Sequence, residues 1–408
     1  MRIALIVALA LFSVTSTVGA QEGAYPGAGT DKDYTPLLTF TPGGTLLQFR
    51  LRVASTVEHA TAFAADADGA QFEAPWATDL VVRAGARFAS GKSIEHVSFG
   101  LDFELDAFTG TINGAPELQG AALPYDRGFD HLIRKAFVRF SWQRYLHVMA
   151  GYMMSHWGMG LVANDGDHGW TPGSAAFTDP RRGDNVLRFM LASGPLEEAA
   201  GLQLAVSYDF PQYDDSILKG DTSGQVVGAV RIGVGSPYTA GVYAAWRQQE
   251  NKEGRGLDVV ALDATAAAKF ELGTGLSMTV EAEGVVILGE TTLAPNNDFD
   301  THEVLQVGAA ARVAVDAGWI GGVADFIYAS GDQNLDDDTQ HGFKTDSNYH
   351  MGMLLFRQVL AAQSGRGSHT AGDPTLVGQP ALDLDRFPTR GSISNTIAVF
   401  PRVWVRPI

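Results

Sequence analysis

The sequence predicts an all-β protein: a transmembrane antiparallel up-and-down β-barrel of about fourteen strands, with short turns at one end and long loops at the other. Three observations predict it. Apolar and polar residues alternate with period two along segments longer than the five or six residues usual in soluble strands. The connections between these segments alternate long and short. A secretory leader precedes a chain that contains no cysteine.

The leader comes first. Arg2, the apolar run from Ile3 to Phe12 and the small residues Val18-Gly19-Ala20 form the three regions of a signal peptide, with cleavage expected near Ala20. No later apolar run is long enough for a membrane helix. Residues 21–43 read as a mobile N-terminal segment, and residues 44–408 as the barrel. With no cysteine there is no disulfide framework, thiolate metal site or thiol nucleophile. The 46 acidic residues outnumber 29 basic ones, for a net charge of −17, which disfavours nucleic acid as a partner. The expected partners are outer-membrane lipid and small polar solutes, and no cofactor is expected.

The strands follow in order. In TLLQFRLRV, Leu47, Phe49, Leu51 and Val53 share a face opposite Gln48, Arg50 and Arg52. In LVVRAGARF, Leu80, Val82, Ala84, Ala86 and Phe88 oppose Arg83 and Arg87. In HVSFGLDFELD, Val97, Phe99, Leu101, Phe103 and Leu105 oppose Asp102, Glu104 and Asp106. Segments of the same kind recur near 132–142, 145–153, 185–193, 201–210, 225–234, 238–248, 258–271, 275–288, 303–316, 319–329 and 392–405. Each is long enough for a tilted strand to cross a bilayer.

Long connections at 54–78, 107–130, 154–184, 211–224, 289–302 and 330–391, with a moderate one at 249–257, alternate with short ones. The short links include Gly91-Lys92, Gln143-Arg144, 235–237, 272–275 and Ala317-Gly318, with a modest one at 194–200. Outer-membrane barrels have short periplasmic turns and long external loops, so the first connection is expected outside. Trp142, Tyr145, Tyr238 and Trp319 border short turns, while Phe210, Trp246 and Tyr328 lie near the opposite strand ends. Two aromatic girdles are expected where a barrel meets lipid headgroups. Within the last long loop, Met351, Leu354, Leu355 and Val359 recur at helical spacing, which predicts a short helix over 350–363.

The polar face carries the candidate chemistry. Arg50, Arg52, Arg83, Arg87, Asp102, Glu104, Asp106, Arg139, Arg188, Arg231, Arg247, Glu281, Glu283 and Arg312 are expected to line a pore, joined by Asp209, Asp263, Lys269 and Asp325. Opposite charges on neighbouring strands suit cross-strand ion pairs. They also suit a charged pore that orients permeants. The early arginines favour anionic solutes, and the acidic third strand weakens that preference.

The stretch GYMMSHWGMGLVANDGDHGW leaves the fifth segment and breaks the alternation. His156, Trp157, Asn164, Asp165 and Asp167 make it a candidate constriction loop. Asp165 and Asp167 have oxygen ligands at close spacing but lack the terminal Glu of a calcium loop, so no metal site is assigned. Ser155-His156 is the one pair that suggests a hydrolase. Neighbours on a strand point to opposite faces, so the pair makes no nucleophile–base contact there, and no enzyme is expected.

GYMMSHWGMGLVANDGDHGW followed by FTDPRRGDNVLRF, with the later ASGDQNLDDD, FKTDSNYHMGMLLFRQVL and RGSISNTIAVFPRV, resembles a family of poorly characterised Gram-negative outer-membrane, porin-like barrels. That family is broadly similar to alginate-export-type porins. Gly151, His156, Trp157, Gly158, Gly160, Asn164, Asp165, Gly183, Asp184 and Arg188 carry the match. The resemblance implies an outer-membrane β-barrel that passes polar or anionic saccharides. The ending VFPRVWVRPI departs from a terminal aromatic strand, and Pro401 interrupts it, so a complete chain of sixteen or eighteen strands is an expectation.

The function expected is passive diffusion of small polar or anionic solutes through an outer-membrane channel. A non-conducting scaffold for surface binding or adhesion is the alternative, and a barrel hydrolase the third.

Overall fold

The computed structural model describes residues 36–42, 45–65, 69, 71–90, 97–114, 117–118, 130–166, 183–293, 299–334, 337–349, 351, 356–371, 373, 375, 386 and 388–406. The leader, residues 21–35, the Gly91-Lys92 turn and Asp167 lie outside them.

The strands are β1 Leu38–Phe40, β2 Leu46–Ala64, β3 Gln71–Ala89, β4 Val97–Asn113, β5 Glu117–Leu118, β6 Asp130–Trp142, β7 Leu146–Met154, β8 Asn185–Leu196 and β9 Leu202–Tyr213. They continue with β10 Thr222–Ile232, β11 Tyr238–Glu250, β12 Gly256–Gly273, β13 Leu276–Thr291, β14 His302–Asp316, β15 Ile320–Ala329, β16 Thr339–Gln340 and β17 Thr396–Val405. A helix, α1 Phe356–Ala371, interrupts them. All belong to one sheet of 17 strands.

The count of about fourteen therefore needs correction. The three added strands, β1, β5 and β16, are only two or three residues long. They were invisible to a period-two search because so short a segment contains no repeat. The long strands pair antiparallel with their neighbours in sequence: β2 with β3, β3 with β4, β4 with β6, and so on to β15 with β17. No β2–β17 register occurs among the described residues. Pro401 lies in β17 opposite Ala324, and β15 is the only described partner of that strand. Proline lacks the N–H that a ladder residue donates, so in strands it is found at edges and bulges.

Two connections are shorter than the sequence suggested. The expected loop 54–78 is mostly strand, because β2 and β3 run on as a 19-residue pair closed near 65–70. The Ala-, Thr- and Glu-rich sequence there alternates weakly, and the ladder is interrupted between Glu58 and Ala60 and between Ala60 and Phe63. β4 likewise extends to Asn113. The described helix spans Phe356–Ala371 and runs past the predicted end at residue 363, while residues 350 and 352–355 of the predicted helix lie outside the described residues.

Alternation sorts side chains onto two faces. Phe49, Leu51, Val53, Phe99, Leu101, Phe103, Phe189, Leu191, Val206 and Val242 are exposed on the outer face. Trp142, Tyr145, Tyr238 and Trp319 are exposed near the short-turn end, and Phe210 and Trp246 near the other. The inner face buries Arg83, Glu104, Asp106, Arg134, Arg188 and Asp209 at 0–2% exposure.

Candidate functional site

The inner face of β2–β9 is a lattice of ion pairs. Arg83 and Asp106 are register partners on β3 and β4, joined at 2.5 and 2.9 Å by two guanidinium nitrogens. Arg188 and Asp209 do the same between β8 and β9, at 2.7 Å twice. Such bidentate pairs are the strong form of the interaction. Arg50 instead skips a strand. Its register partner is Gly85, which has no side chain, so the guanidinium passes over it to Asp102 on β4 at 2.5 Å. A Cβ at Gly85 would lie 3.2 Å from Arg50 Nε. Glu104 takes Arg134 at 3.0 Å and Lys135 at 4.0 Å. Further round, Asp325 joins Arg312 at 2.5 Å and also binds Arg402. Arg312 lies 3.5 Å from Glu281.

The connection after β7 crosses to the opposite wall. Trp157 is buried, and its indole N–H donates to Asp263 on β12 at 3.0 Å. The ring lies against Tyr243 of β11, with centroids 5.4 Å apart, and under the Arg231 guanidinium at 5.1 Å. Gly241 makes room for it, since a Cβ there would come within 2.7 Å of the indole. The next turn wraps a carboxylate. The backbone N–H groups of Met159, Gly160 and Leu161 all donate to Glu283 of β13, the last two at 3.1 Å. Successive N–H groups around one anion form a nest. Gly158 and Gly160 have φ of +56° and +88°, and a Cβ at Gly158 would lie 2.4 Å from Glu283 Oε2. Glycine is required on both counts.

The return half of this connection is tied back by Asn164, whose side-chain oxygen accepts from Gly166 N at 3.0 Å. The Asn164 carbonyl accepts from Asp184 N at 2.8 Å, and the Asn164 N–H donates to the Asp184 carboxylate at 3.2 Å. Arg134 donates to the Asp165 carbonyl at 2.9 Å, and the Asp165 carboxylate lies 3.8 Å from His156 Nδ1. No cluster of three His, Asp or Glu that could hold a metal ion occurs among the described residues. The Ser155 hydroxyl accepts from Arg188 Nη2 at 3.2 Å.

The last long connection, 330–395, also folds against the inner face. Leu161 of the first crossing loop packs with Phe343, Tyr349, Met351, Leu360 and Ile393 of this one, over Val285, Ala310 and Ile327 of β13–β15. The two loops are joined by Asp346 N donating to Leu161 O at 2.8 Å.

Between them and the β9–β10 connection lies a cavity of about 650 Å³. Asp184, Asp214, Asp346, Arg247, Lys344 and Arg386 are among the charged groups that line it. Burial would raise Asp214, but bidentate Arg247 overrides it and lowers its pKa. Burial pushes Lys344 down to about 8, against the opposing pull of Asp215. Asp184 and Asp346 are raised, first by burial and then by like charge: Asp346, Asp214 and Asp215 act on Asp184, and Asp215 acts on Asp346.

The structure thus buries Arg50, Arg83, Asp102, Glu104, Asp106, Arg188 and Glu283 on the inner face, and half-buries Arg52, Arg87, Arg139, Arg231, Arg247, Glu281 and Arg312 there. Of the constriction-loop residues it brings His156, Trp157, Asn164 and Asp165 inward. Lys269 is a correction. It is exposed beside the short turn and pairs with Glu271 at 2.8 Å, because the inner face is uncovered that close to the sheet end. Arg134, Asp184, Asp214, Lys344 and Asp346 were missed as site residues. One signal pointed to them: the inward positions of β11–β14 include Tyr243, Ala245, Val259, Ala261 and Val304, too apolar for a face left in water.

No family model and no curated protein matches the chain. Two solved structures of outer-membrane proteins are similar to it. The outer membrane channel DcaP of Acinetobacter baumannii aligns over 72% of this chain and 94% of its own, at 11% identity and a TM-score of 0.37. A loop L8 deletion mutant of OmpT, an outer membrane protein of Vibrio cholerae, aligns over 70% of this chain and 93% of its own, at 13% identity and a TM-score of 0.30.

Proposed function

We propose that the sheet closes into an outer-membrane β-barrel that serves as a channel for small polar solutes. The observation that carries this is the inversion of the two faces. Phe49, Leu51, Phe103, Phe189 and Val242 are exposed, while Arg83, Asp106, Arg134, Arg188 and Asp209 are buried. Water would reverse that distribution; a bilayer outside and a hydrated interior explain it. The aromatic residues near both strand ends fit two headgroup girdles.

Anion preference does not follow from the arginines. Arg50, Arg83, Arg188 and Arg312 each have a carboxylate within 2.5–2.7 Å, so their fields are largely cancelled locally. Polar or anionic saccharides are what the resemblance to alginate-export-type porins implies, and neutral and anionic members compared side by side are the first solutes to test.

The pinned crossing loop favours one second reading, a non-conducting barrel whose external loops bind a ligand. Ser155 is assigned no catalytic role, since its hydroxyl partner, Arg188, cannot act as a base.

Planar-bilayer recording on the refolded chain separates the two. Folding is first established as a gel-mobility difference between unboiled and boiled samples. Discrete single-channel steps then support the channel. A heat-modifiable barrel that gives no steps is the scaffold.

A further inference from the structure

The crossing loop is seated on two carboxyl groups that meet each other. Asp263 on β12 lies opposite Val285, and Glu283 is two residues away from that partner on β13, so the pair are diagonal neighbours on the inner face. They are 2% and 4% exposed. Asp263 Oδ1 accepts the Trp157 indole N–H at 3.0 Å, and Glu283 accepts from the backbone of Met159, Gly160 and Leu161. The segment from Trp157 to Leu161 thus hangs on one carboxyl pair.

A hydrogen bond joins the two groups, and Asp263 Oδ2, which takes no N–H, is the oxygen left to make it. Two carboxyl oxygens bond only through a proton that one of them carries. Three N–H donors suit Glu283 as the carboxylate. Asp263 then donates from Oδ2 and accepts at Oδ1.

Other ionisable groups face the pair from each neighbouring element. Tyr243 of β11 is the register partner of Asp263, with Arg188 and Asp209 paired behind it. Arg231 of β10 lies on the indole. Beside Glu283 stand Glu281, 3.5 Å from Arg312, and Tyr349 of the last long connection. The crossing loop adds His156, 3.8 Å from Asp165, and its joint with the last connection adds Asp184 and Asp346. Between pH 5 and 8 tyrosine stays neutral and arginine charged, so His156 and the carboxyl groups are what can titrate.

We propose that the proton shared by Asp263 and Glu283 is a latch on the crossing loop. While it is held, the pair binds the indole and the nest together. When it leaves for lumen water, two buried carboxylates face each other on neighbouring strands, and their repulsion drives Asp263 from its place beneath the indole. Trp157 loses its bond, and the loop leaves the wall. The lumen is then narrow in acid surroundings and wider near neutral pH and above. The effect on passage rests on the proposed channel; the latch itself does not.

Hydrogen exchange on the folded chain in detergent tests it, read at Met159, Gly160 and Leu161 as protection relative to an unstructured peptide at the same pH. Protection is expected to fall at least tenfold from pH 5 to 8. Asp263→Asn keeps an oxygen for the indole and places an N–H donor where the proton was, so its protection is expected to stay level. His156→Gln and Asp346→Asn are expected to keep the fall. A level profile in the native chain, an unchanged fall in Asp263→Asn, or a fall lost in either of the other variants overturns the latch. Should Asp263→Asn not fold, those two variants decide: a fall kept in both supports the pair, and one lost in either assigns the titration elsewhere and overturns it.

Conductance is read separately. No single-channel steps at any pH overturns the channel and leaves the exchange result to decide the latch. Steps of constant size, with the fall in protection present, keep the latch and remove the loop as the constriction.

Discussion

The inner surfaces of β2–β6 and of β10–β15 are built on opposite principles. The first is filled by its own side chains. Arg50, Arg83, Asp102, Glu104, Asp106 and Arg134 neutralise one another across neighbouring strands. The second is lined by Val227, Ala229, Tyr243, Ala245, Val259, Ala261, Val285, Ala310 and Val323, and loops cover it. Small apolar residues leave space at the wall, and Trp157, Leu161 and Phe343 occupy it. The difference teaches that one face of one sheet can be rigid by charge on one side and mouldable by loop packing on the other. The cavity lies on the second side.

The largest effect should come from breaking the charged wall. Arg83→Ala leaves Asp106 buried without its bidentate partner. Removing one member of such a pair typically costs about 3–5 kcal/mol. The expected outcome is a much lower heat-modification temperature, with little change in the selectivity of any channel that still folds. Unchanged thermal resistance would mean that this wall is hydrated enough to replace the arginine.

Next in size is release of the crossing loop. Gly158→Val places a side chain where a Cβ already lies 2.4 Å from Glu283, at φ +56°. Glu283→Gln removes the charge that three N–H groups surround, and hydrogen bonds to a charged group are each worth about 1.5–3 kcal/mol. Both variants should raise single-channel conductance and make residues 155–166 more open to protease. If conductance does not change, the loop does not limit passage. A smaller change is expected for Trp157→Phe, which loses one indole bond to Asp263, about 1 kcal/mol, while keeping the ring against Tyr243.

The smallest effect concerns pH at the joint between the loops. Asp346 holds its proton to a higher pH when folded than when unfolded, through burial and through Asp215. Its contribution is fully present below the ordinary carboxylate range and is lost as pH rises through the raised folded value. Asp184 follows the same course, while Asp214, lowered by Arg247, runs opposite. Asp346→Asn should therefore flatten the fall in thermal stability between acidic and neutral pH. A melting series from pH 4 to 8 that is parallel for both chains would remove the carboxyl pair from the joint.

Much of the sheet was legible because period two survives in a single sequence. The fourteen long strands lie where the alternation put them, and Arg50, Arg83, Asp102, Glu104 and Asp106 face inward as their parity required. Strand ends were less legible. β2 and β3 run on through Ala- and Thr-rich sequence where neither face is distinct. Which charges meet was only partly legible, since Arg50 reaches Asp102 past Gly85, and a missing side chain leaves no mark in a hydropathy pattern. Of the cavity, only the apolar inward positions of β11–β14 left a mark in the sequence. Asp184 and Asp346 are 162 residues apart in the chain, and only the folding of two long loops onto one wall brings them together.

The placement of Trp157 also equips the molecule with an internal optical probe. Trp142, Trp246 and Trp319 project from the outer face, whereas the Trp157 indole is enclosed on the inner one. Brominated lipid would quench the fluorescence of the first three and spare the fourth. In a chain whose Trp76, Trp170 and Trp404 are replaced by Phe, the residual emission would then report, without any label, whether the crossing loop stays seated while solute is present.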